Sequence, residues 1–230
     1  TFYAGKYLNE YYSKEVPYGY DDFYFLYGNS KYFNYTLNEN GVLKSYGDAQ
    51  ENYYTNVIKN QAKEFLKKQS KNAPFFAMIS TPAWHAPFIP EDKYKDAFKD
   101  FKAPRSDNFN ISPQKNSKHW LMTMEPEKLA EKTITRIDEI YQARLETLLS
   151  VDDMVEELIV QLTEQCLIDD TFIIFTSDNG YHLGNFAMTW DKRLPYETDI
   201  KIPLFVRGPN KKKKKVVNFP TLLIDIFPTI

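Results

Sequence analysis

From Glu51 to Lys68 the apolar residues Tyr54, Val57, Ile58, Ala62, Phe65 and Leu66 recur at the spacing of one helical face, which predicts an amphipathic helix. Asn72-Ala73-Pro74 carries turn chemistry. Behind it, Phe75 to Ile79 is a short unbroken apolar run, the pattern of a strand buried on both faces. Between Pro82 and Pro126 six prolines stand among mixed polar residues with weak periodicity, which predicts a long irregular excursion of the kind that lines sites. Periodicity resumes from about Thr135 to Gln165, where Ile137, Ile140, Tyr141, Arg144, Leu145, Leu148, Val151, Val155, Leu158, Ile159 and Leu162 lie on or near one stripe. A second, longer helix packed on a sheet is expected there. Asp169-Asp170 breaks it, and Thr171 to Thr176 reads as a central, β-branched strand. A short strand over Pro203 to Val206 and a final helix opened by Thr221 complete an alternating α/β order, with Lys211 to Lys215 as a solvated loop. No internal repeat is visible.

With 230 residues and 43% hydrophobic content the chain is long enough to bury a sizeable core, within the size of one large or two small domains. Its aromatic share of 16%, mostly Tyr and Phe, suits pocket walls that meet polar, ring-shaped substrates. A formal net charge of −2 gives no general pull toward nucleic acid or an anionic membrane. The lone Cys166 forms no disulfide within these residues and reads as a buried thiol. Two sequons, Asn34-Tyr35-Thr36 and Asn110-Ile111-Ser112, point to a secretory pathway with glycans on Asn34 and Asn110, the second weakened by Pro113. No uninterrupted run of about 18 apolar residues is present, so no helical membrane span is expected. The opening Thr1-Phe2-Tyr3-Ala4-Gly5-Lys6 has neither a starting Met nor a charged-then-apolar leader and reads as starting mid-domain.

The chemistry-bearing tetrapeptide is Ser177-Asp178-Asn179-Gly180, directly after the strand predicted over Thr171 to Thr176. In open α/β sheets that strand end is where ligands bind. Asp, Asn and Gly also form simple turns. A neighbouring carboxylate and amide oxygen are equally hard ligands for Ca²⁺ or Mg²⁺, and two of them leave most of a shell of about six to eight oxygens to other groups.

The tetrapeptide continues as Gly180-Tyr181-His182-Leu183-Gly184-Asn185-Phe186, then Asp191-Lys192-Arg193, Pro195-Tyr196-Glu197 and Asp199-Ile200-Lys201-Ile202-Pro203-Leu204. In this run the chain resembles the sulfatase family. Further blocks agree in the family's order: Ala4-Gly5-Lys6-Tyr7-Leu8-Asn9-Glu10-Tyr11, Asn29 to Leu37, Thr81-Pro82-Ala83-Trp84-His85-Ala86-Pro87, Lys118-His119-Trp120-Leu121 and Leu148 to Asp153. The resemblance implies an α/β alkaline-phosphatase-like sandwich, a mixed central sheet flanked by helices, with residues 1–230 as the C-terminal part of an incomplete single catalytic domain lacking its first strands. It assigns Asp178 and Asn179 to the active-site Ca²⁺, and Lys6 to the sulfate and the nucleophile. His85 is placed beside the scissile ester, Lys192 becomes a second sulfate-binding lysine and leaving-group proton donor, and His182 a substrate-side contact. Asp178, Asn179, Lys6, His85 and Lys192 are expected to meet in one pocket.

The family's nucleophile is a hydrated formylglycine, made by the formylglycine-generating enzyme from a Cys/Ser-x-Pro-x-Arg motif. That motif is absent, and Cys166, followed by Leu167-Ile168-Asp169, does not match it. Nor do Asp21-Asp22 or Asp152-Asp153 match the family's early acidic metal ligands, since neither pair follows a predicted strand. The resemblance implies hydrolysis of 6-O-sulfate from N-acetylglucosamine in heparan or keratan sulfate, in the lysosome, with the 230 residues alone expected to be inactive. An endosulfatase acting inside heparan chains, secreted or on the cell surface, is the enzymatic alternative. A non-catalytic protein that binds sulfated glycans is the alternative of another class.

Overall fold

The computed structural model describes residues 1–113, 117, 119–124, 126–209 and 215–230; Lys118 and the predicted loop residues Lys211 to Lys214 lie outside the described residues. The chain divides into two compact units, Thr1–Arg105 with Ala130–Ile168, and Ser106–Leu129 with Asp169–Ile230.

The first unit contains β1 (Phe2–Gly5), β2 (Asp22–Leu26), β3 (Tyr35–Glu39), β4 (Val42–Tyr46), α1 (Tyr54–Lys67), β5 (Ala77–Ser80) and α2 (Glu131–Glu164). Its sheet runs in the order β4-β3-β2-β1-β5, with β1 parallel to β2 and β5, and with β2, β3 and β4 successively antiparallel. This is a mixed sheet, as expected. The first four strands are not among the sequence expectations, although Asn40-Gly41 between β3 and β4 is the usual dipeptide of a two-residue hairpin. Strand alternation sends Phe2 to one face, where its ring stacks on Phe65 of α1 at 4.8 Å. On the other face Tyr3, Phe23 and Phe25 form a core cluster covered by Tyr7, Tyr11, Val16, Tyr20 and Tyr27 of the adjoining segments. The helices of this unit therefore form one layer, and an aromatic loop forms the other.

All six apolar positions expected on the first helix are buried in α1, which starts three residues later than Glu51 because Gln50–Asn52 closes a separate 3-10 turn. Its polar side reaches α2, where Glu157 accepts from Lys59 at 2.7 Å and Lys63 at 2.6 Å. In α2 the expected stripe holds at Ile137, Ile140, Arg144, Val151 and Leu162, but Thr147 and Ser150 are buried as well while Ile159 is 37% exposed. The cause is the neighbour. The first part of the irregular excursion lies along the middle of α2, where Glu91 accepts from Ser150 Oγ at 2.6 Å and from Asn56 of α1 at 2.8 Å. Asp153 accepts from Lys93 Nζ at 2.6 Å. A polar loop needs polar partners on the helix that buries it.

Two expectations for this unit are corrected. β5 is not buried on both faces: it closes one end of the sheet among the described residues, and Met78 is 37% exposed. Cys166 is an exposed free thiol, not a buried one. It occupies the left-handed position (φ 56°) just past α2, where Leu167 N donates to Leu162 O at 2.8 Å and Cys166 N to Thr163 O at 2.9 Å. In that helix-ending motif the next residue, Leu167, takes the buried place and the cysteine turns outward.

The second unit holds β6 (Ile173–Thr176), β7 (His182–Leu183), β8 (Trp190–Asp191), α3 (Glu197–Ile200), β9 (Leu204–Arg207) and α4 (Ile226–Thr229). β6 is paired with β9 alone among the described residues, antiparallel, with Phe175 41% exposed, so its expected central position is not what is found. A β-branched apolar run specifies strand propensity, not the number of neighbours. The helix expected from Thr221 forms later, as a 3-10 turn at Leu223–Asp225 leading into α4. Among the described residues no helix is long and apolar enough to cross a membrane.

Candidate functional site

Lys6 and His85 belong to the first unit, and Asp178, Asn179, His182 and Lys192 to the second. In the first unit Lys6 leaves the C-terminal end of β1, and the segment carrying His85 leaves the C-terminal end of the parallel neighbour β5. The two strand ends nearly touch: Lys6 N donates to Ser80 O at 2.8 Å, and a Cβ on Gly5, at φ +126°, would lie 2.0 Å from that oxygen. Only glycine fits there. Tyr3 donates its phenol to the Lys6 carbonyl, and burial pushes that phenol up to about 12, so it stays a donor.

His85 sits on a tight turn. Its N–H donates to Pro82 O at 2.7 Å, and its ring Nδ1 lies 2.8 Å from Ala86 O. The buried Tyr32 hydroxyl donates to His85 O at 2.7 Å and lies 3.3 Å from Pro82 O, and burial raises its pKa far above the ordinary tyrosine value. Next to His85, the Trp84 ring receives the guanidinium of the buried Arg144 at 4.1 Å, a cation–π contact from α2.

In the second unit Asp178 and Asn179 follow β6 directly. Asp178 Oδ1 accepts Asn179 N at 3.0 Å and Ser177 Oγ at 3.4 Å, and Asn179 Nδ2 donates to Gly180 O at 2.7 Å. Asp178 Oδ2 and Asn179 Oδ1 make no hydrogen bond among the described residues. Both are hard oxygen donors, the kind Ca²⁺ takes, and they supply only part of its shell. Among the described residues no group of three or more His, Cys, Asp and Glu side chains is arranged to hold a metal. Gly180 lets this loop lie against α3, since a Cβ there would stand 2.2 Å from Thr198 O.

The β7–β8 hairpin pairs His182 with Asp191, and Lys192 follows at once, half-buried, its N–H on Asp191 Oδ1 at 2.8 Å. The hairpin is strapped by the later part of the excursion: Asn185 Nδ2 donates to Asn108 Oδ1 at 3.0 Å and Ser106 Oγ at 3.1 Å. His182 is 4% exposed, and its Nδ1 lies 3.0 Å from Oδ1 of Asp199, itself 3% exposed. Asp199, Tyr32 and Arg144 have no place among the site residues that the sequence pattern singles out. Arg144 on an otherwise apolar helical stripe was the one visible signal. Of the two sequons, Asn34 is exposed, whereas Asn110 is half-buried and its Oδ1 accepts Leu129 N at 2.6 Å.

A family model described as Sulfatase matches residues 1–230. The chain is 44% identical over 237 aligned residues to N-acetylglucosamine-6-sulfatase of Capra hircus, covering 100% of this chain and 42% of that protein. It is 36% identical over 233 aligned residues to an extracellular sulfatase SULF-1 homolog of Drosophila melanogaster, covering 100% of this chain and 21% of that protein. Among solved structures, one in complex with its substrate D-glucosamine-2-N,6-O-disulfate superposes with a TM-score of 0.67 at 21% identity, over 90% of this chain and 52% of the other. At that identity the likeness is one of fold. The chain spans about two fifths of the length of the N-acetylglucosamine-6-sulfatases it matches.

Proposed function

Because the chain belongs to the sulfatase family, we propose that the protein hydrolyses 6-O-sulfate esters of N-acetylglucosamine residues in heparan or keratan sulfate, as a calcium- and formylglycine-dependent enzyme of the lysosome. The observation that carries this reading is identity of 44% along the whole chain to an N-acetylglucosamine-6-sulfatase, against 36% to an extracellular sulfatase. Formylglycine would come from outside these residues, through the formylglycine-generating enzyme.

A sulfate ester is negatively charged, and more charge develops on the departing alcohol oxygen as the S–O bond breaks. Preorganised cations stabilise both. Lys6, held by its own backbone at the end of β1, offsets charge on the sulfate oxygens. Lys192, fixed after β8, shares that task and holds the proton for the departing oxygen. His85, with an imidazole suited to proton transfer near neutrality, moves a proton at the ester. Asp178 Oδ2 and Asn179 Oδ1 would hold Ca²⁺, which supplies positive charge to the sulfate when bound. His182 contacts the sugar, and the exposed Asn34 carries a glycan.

The test is an assay of the full-length protein from a secreting host on oligosaccharides with 6-sulfated N-acetylglucosamine at the non-reducing end or in the interior, with Asp178→Ala and Lys192→Ala as controls. Terminal desulfation lost in both variants is expected. Release from interior positions alone would replace this reading with the endosulfatase. Absence of turnover in a protein that carries formylglycine, with sulfated-glycan binding retained, would replace it with the non-catalytic binder.

A further inference from the structure

Asp199 is 3% exposed, and the one basic side chain against its carboxylate among the described residues is His182. A carboxylate buried in this way persists when donors fill its lone pairs. Three do. His182 Nδ1 lies 3.0 Å from Oδ1 and 3.2 Å from Oδ2, Thr198 Oγ1 donates to Oδ1 at 3.0 Å, and Leu194 N donates to Oδ2 at 3.0 Å. An ionised carboxylate only accepts, so the imidazole proton sits on Nδ1. In the neutral ring Nε2 then carries the lone pair, and it makes no hydrogen bond among the described residues.

The same residue joins three pieces of the unit. Its carbonyl accepts Gly180 N at 2.7 Å, one residue past the Asp178-Asn179 pair, and its carboxylate holds Leu194, two residues past Lys192. We propose that Asp199 is a positioning residue that locks His182 in the Nδ1–H tautomer, so that Nε2 accepts a hydrogen bond from a hydroxyl or amide N–H of the sugar that bears the sulfate. The acceptor role rests on the sulfatase reading above; the tautomer stands on geometry alone.

Asp199→Asn separates the two. Leu194 N–H can only donate, so the amide oxygen stays at the Oδ2 position, 3.2 Å from His182 Nδ1, and the new NH₂ takes the Oδ1 position, 3.0 Å from Nδ1. The nearer N–H favours a lone pair on Nδ1 while the retained oxygen still accepts a proton there, so the Nε2–H tautomer gains population at the expense of the other. In that population the outward nitrogen is a donor, not an acceptor. The shape of the residue is kept, as in the Asp-to-Asn change of the serine-protease triad, where the wrong tautomer is the lesion.

The protein is labelled with ¹⁵N-histidine, and the ring nitrogens are read by two-bond proton–nitrogen correlation at a pH where the rings are neutral, with His182→Phe to assign the signal. Pyrrole-like Nδ1 and pyridine-like Nε2 are expected in the wild type, with a shift toward the Nε2–H form in Asp199→Asn. Kinetics of the full-length protein on sugar 6-sulfates should show KM raised about tenfold in Asp199→Asn, the worth of one misdirected hydrogen bond, with a smaller change in kcat. His182→Gln, which keeps an acceptor at the tip, should raise KM less than His182→Phe. A wild-type ring protonated on Nε2, or a tautomer that does not change in Asp199→Asn, would overturn the lock. A shifted tautomer with unchanged KM would overturn the acceptor role. A wild-type protein without turnover on these sugars would remove the sulfatase reading and the acceptor role together, while the nitrogen spectra still decide the tautomer.

Discussion

Tyr32→Phe removes one oxygen from the turn that holds His85 and leaves everything else about the residue in place. The ring is 1% exposed and stacks on Tyr53 at 5.8 Å, so the phenylalanine keeps its packing. What is lost is the hydroxyl donor, 2.7 Å from His85 O and 3.3 Å from Pro82 O. Both acceptors retain another donor: Phe88 N lies 3.1 Å from His85 O, and His85 N lies 2.7 Å from Pro82 O. The change therefore forfeits a hydrogen bond without orphaning a carbonyl, and the cost is about 1 kcal/mol, the low side of the range for a buried bond. For a chain of this size that is a fall of about 2–4 °C in Tm. With His85 in the proton-transfer role proposed above, turnover is expected to fall further than stability, by up to about a hundredfold for a shift of about 1 Å. Differential scanning calorimetry and kcat/KM on the full-length protein measure the two separately. A variant with unchanged Tm and unchanged kcat/KM would mean that Tyr32 does not hold the His85 turn.

Phe65→Ala, at a residue 6% exposed and stacked on Phe2, should cost about 3–5 kcal/mol in a urea titration, and a loss below about 1 kcal/mol would show that α1 is not anchored there. Hydrogen bonds from Lys59 and then Lys63 hold the Glu157 carboxyl below its ordinary value of 4.5, so its contribution is complete above that pH and is lost as pH falls through the lower folded value. Glu157→Gln should accordingly flatten the acid side of the stability–pH curve, whereas a curve parallel to wild type would assign the acid loss to other groups. Mass spectrometry of protein from a secreting host should find a glycan on the exposed Asn34, and an Asn34 that is always unmodified would count against passage through the secretory pathway.

The parts of the fold that were legible in the sequence are those with a long period to read. α1 repeats its apolar face over four turns, and each predicted position is buried. The strands β1 to β4 are four or five residues long, too short for a period to show; in β1 and β2 Tyr and Phe on both faces also hide the alternation. Partners are legible least of all: nothing in Ile173 to Thr176 distinguishes a strand with two neighbours from one with β9 alone. The same limit governs the site. Of the residues of the proposed site, Asp178 and Asn179 stand out because carboxylate and amide oxygens suit a hard cation, and Lys6, His85 and Lys192 because their surrounding blocks resemble a family. Asp199 acts through a ring 17 positions away, and Tyr32 through a carbonyl 53 positions away, separations that no local pattern encodes.

The two phenols that grip the backbone beside Lys6 and His85 share a property that matters for where such a protein can work. Burial raises the pKa of both Tyr3 and Tyr32 above the ordinary tyrosine value, so neither phenol loses its proton at neutral or acidic pH. A carboxylate or an imidazole in the same place would exchange donor for acceptor somewhere between a neutral and an acidic compartment. These hydroxyls do not. The grip on both backbone segments is therefore the same at neutral as at acidic pH.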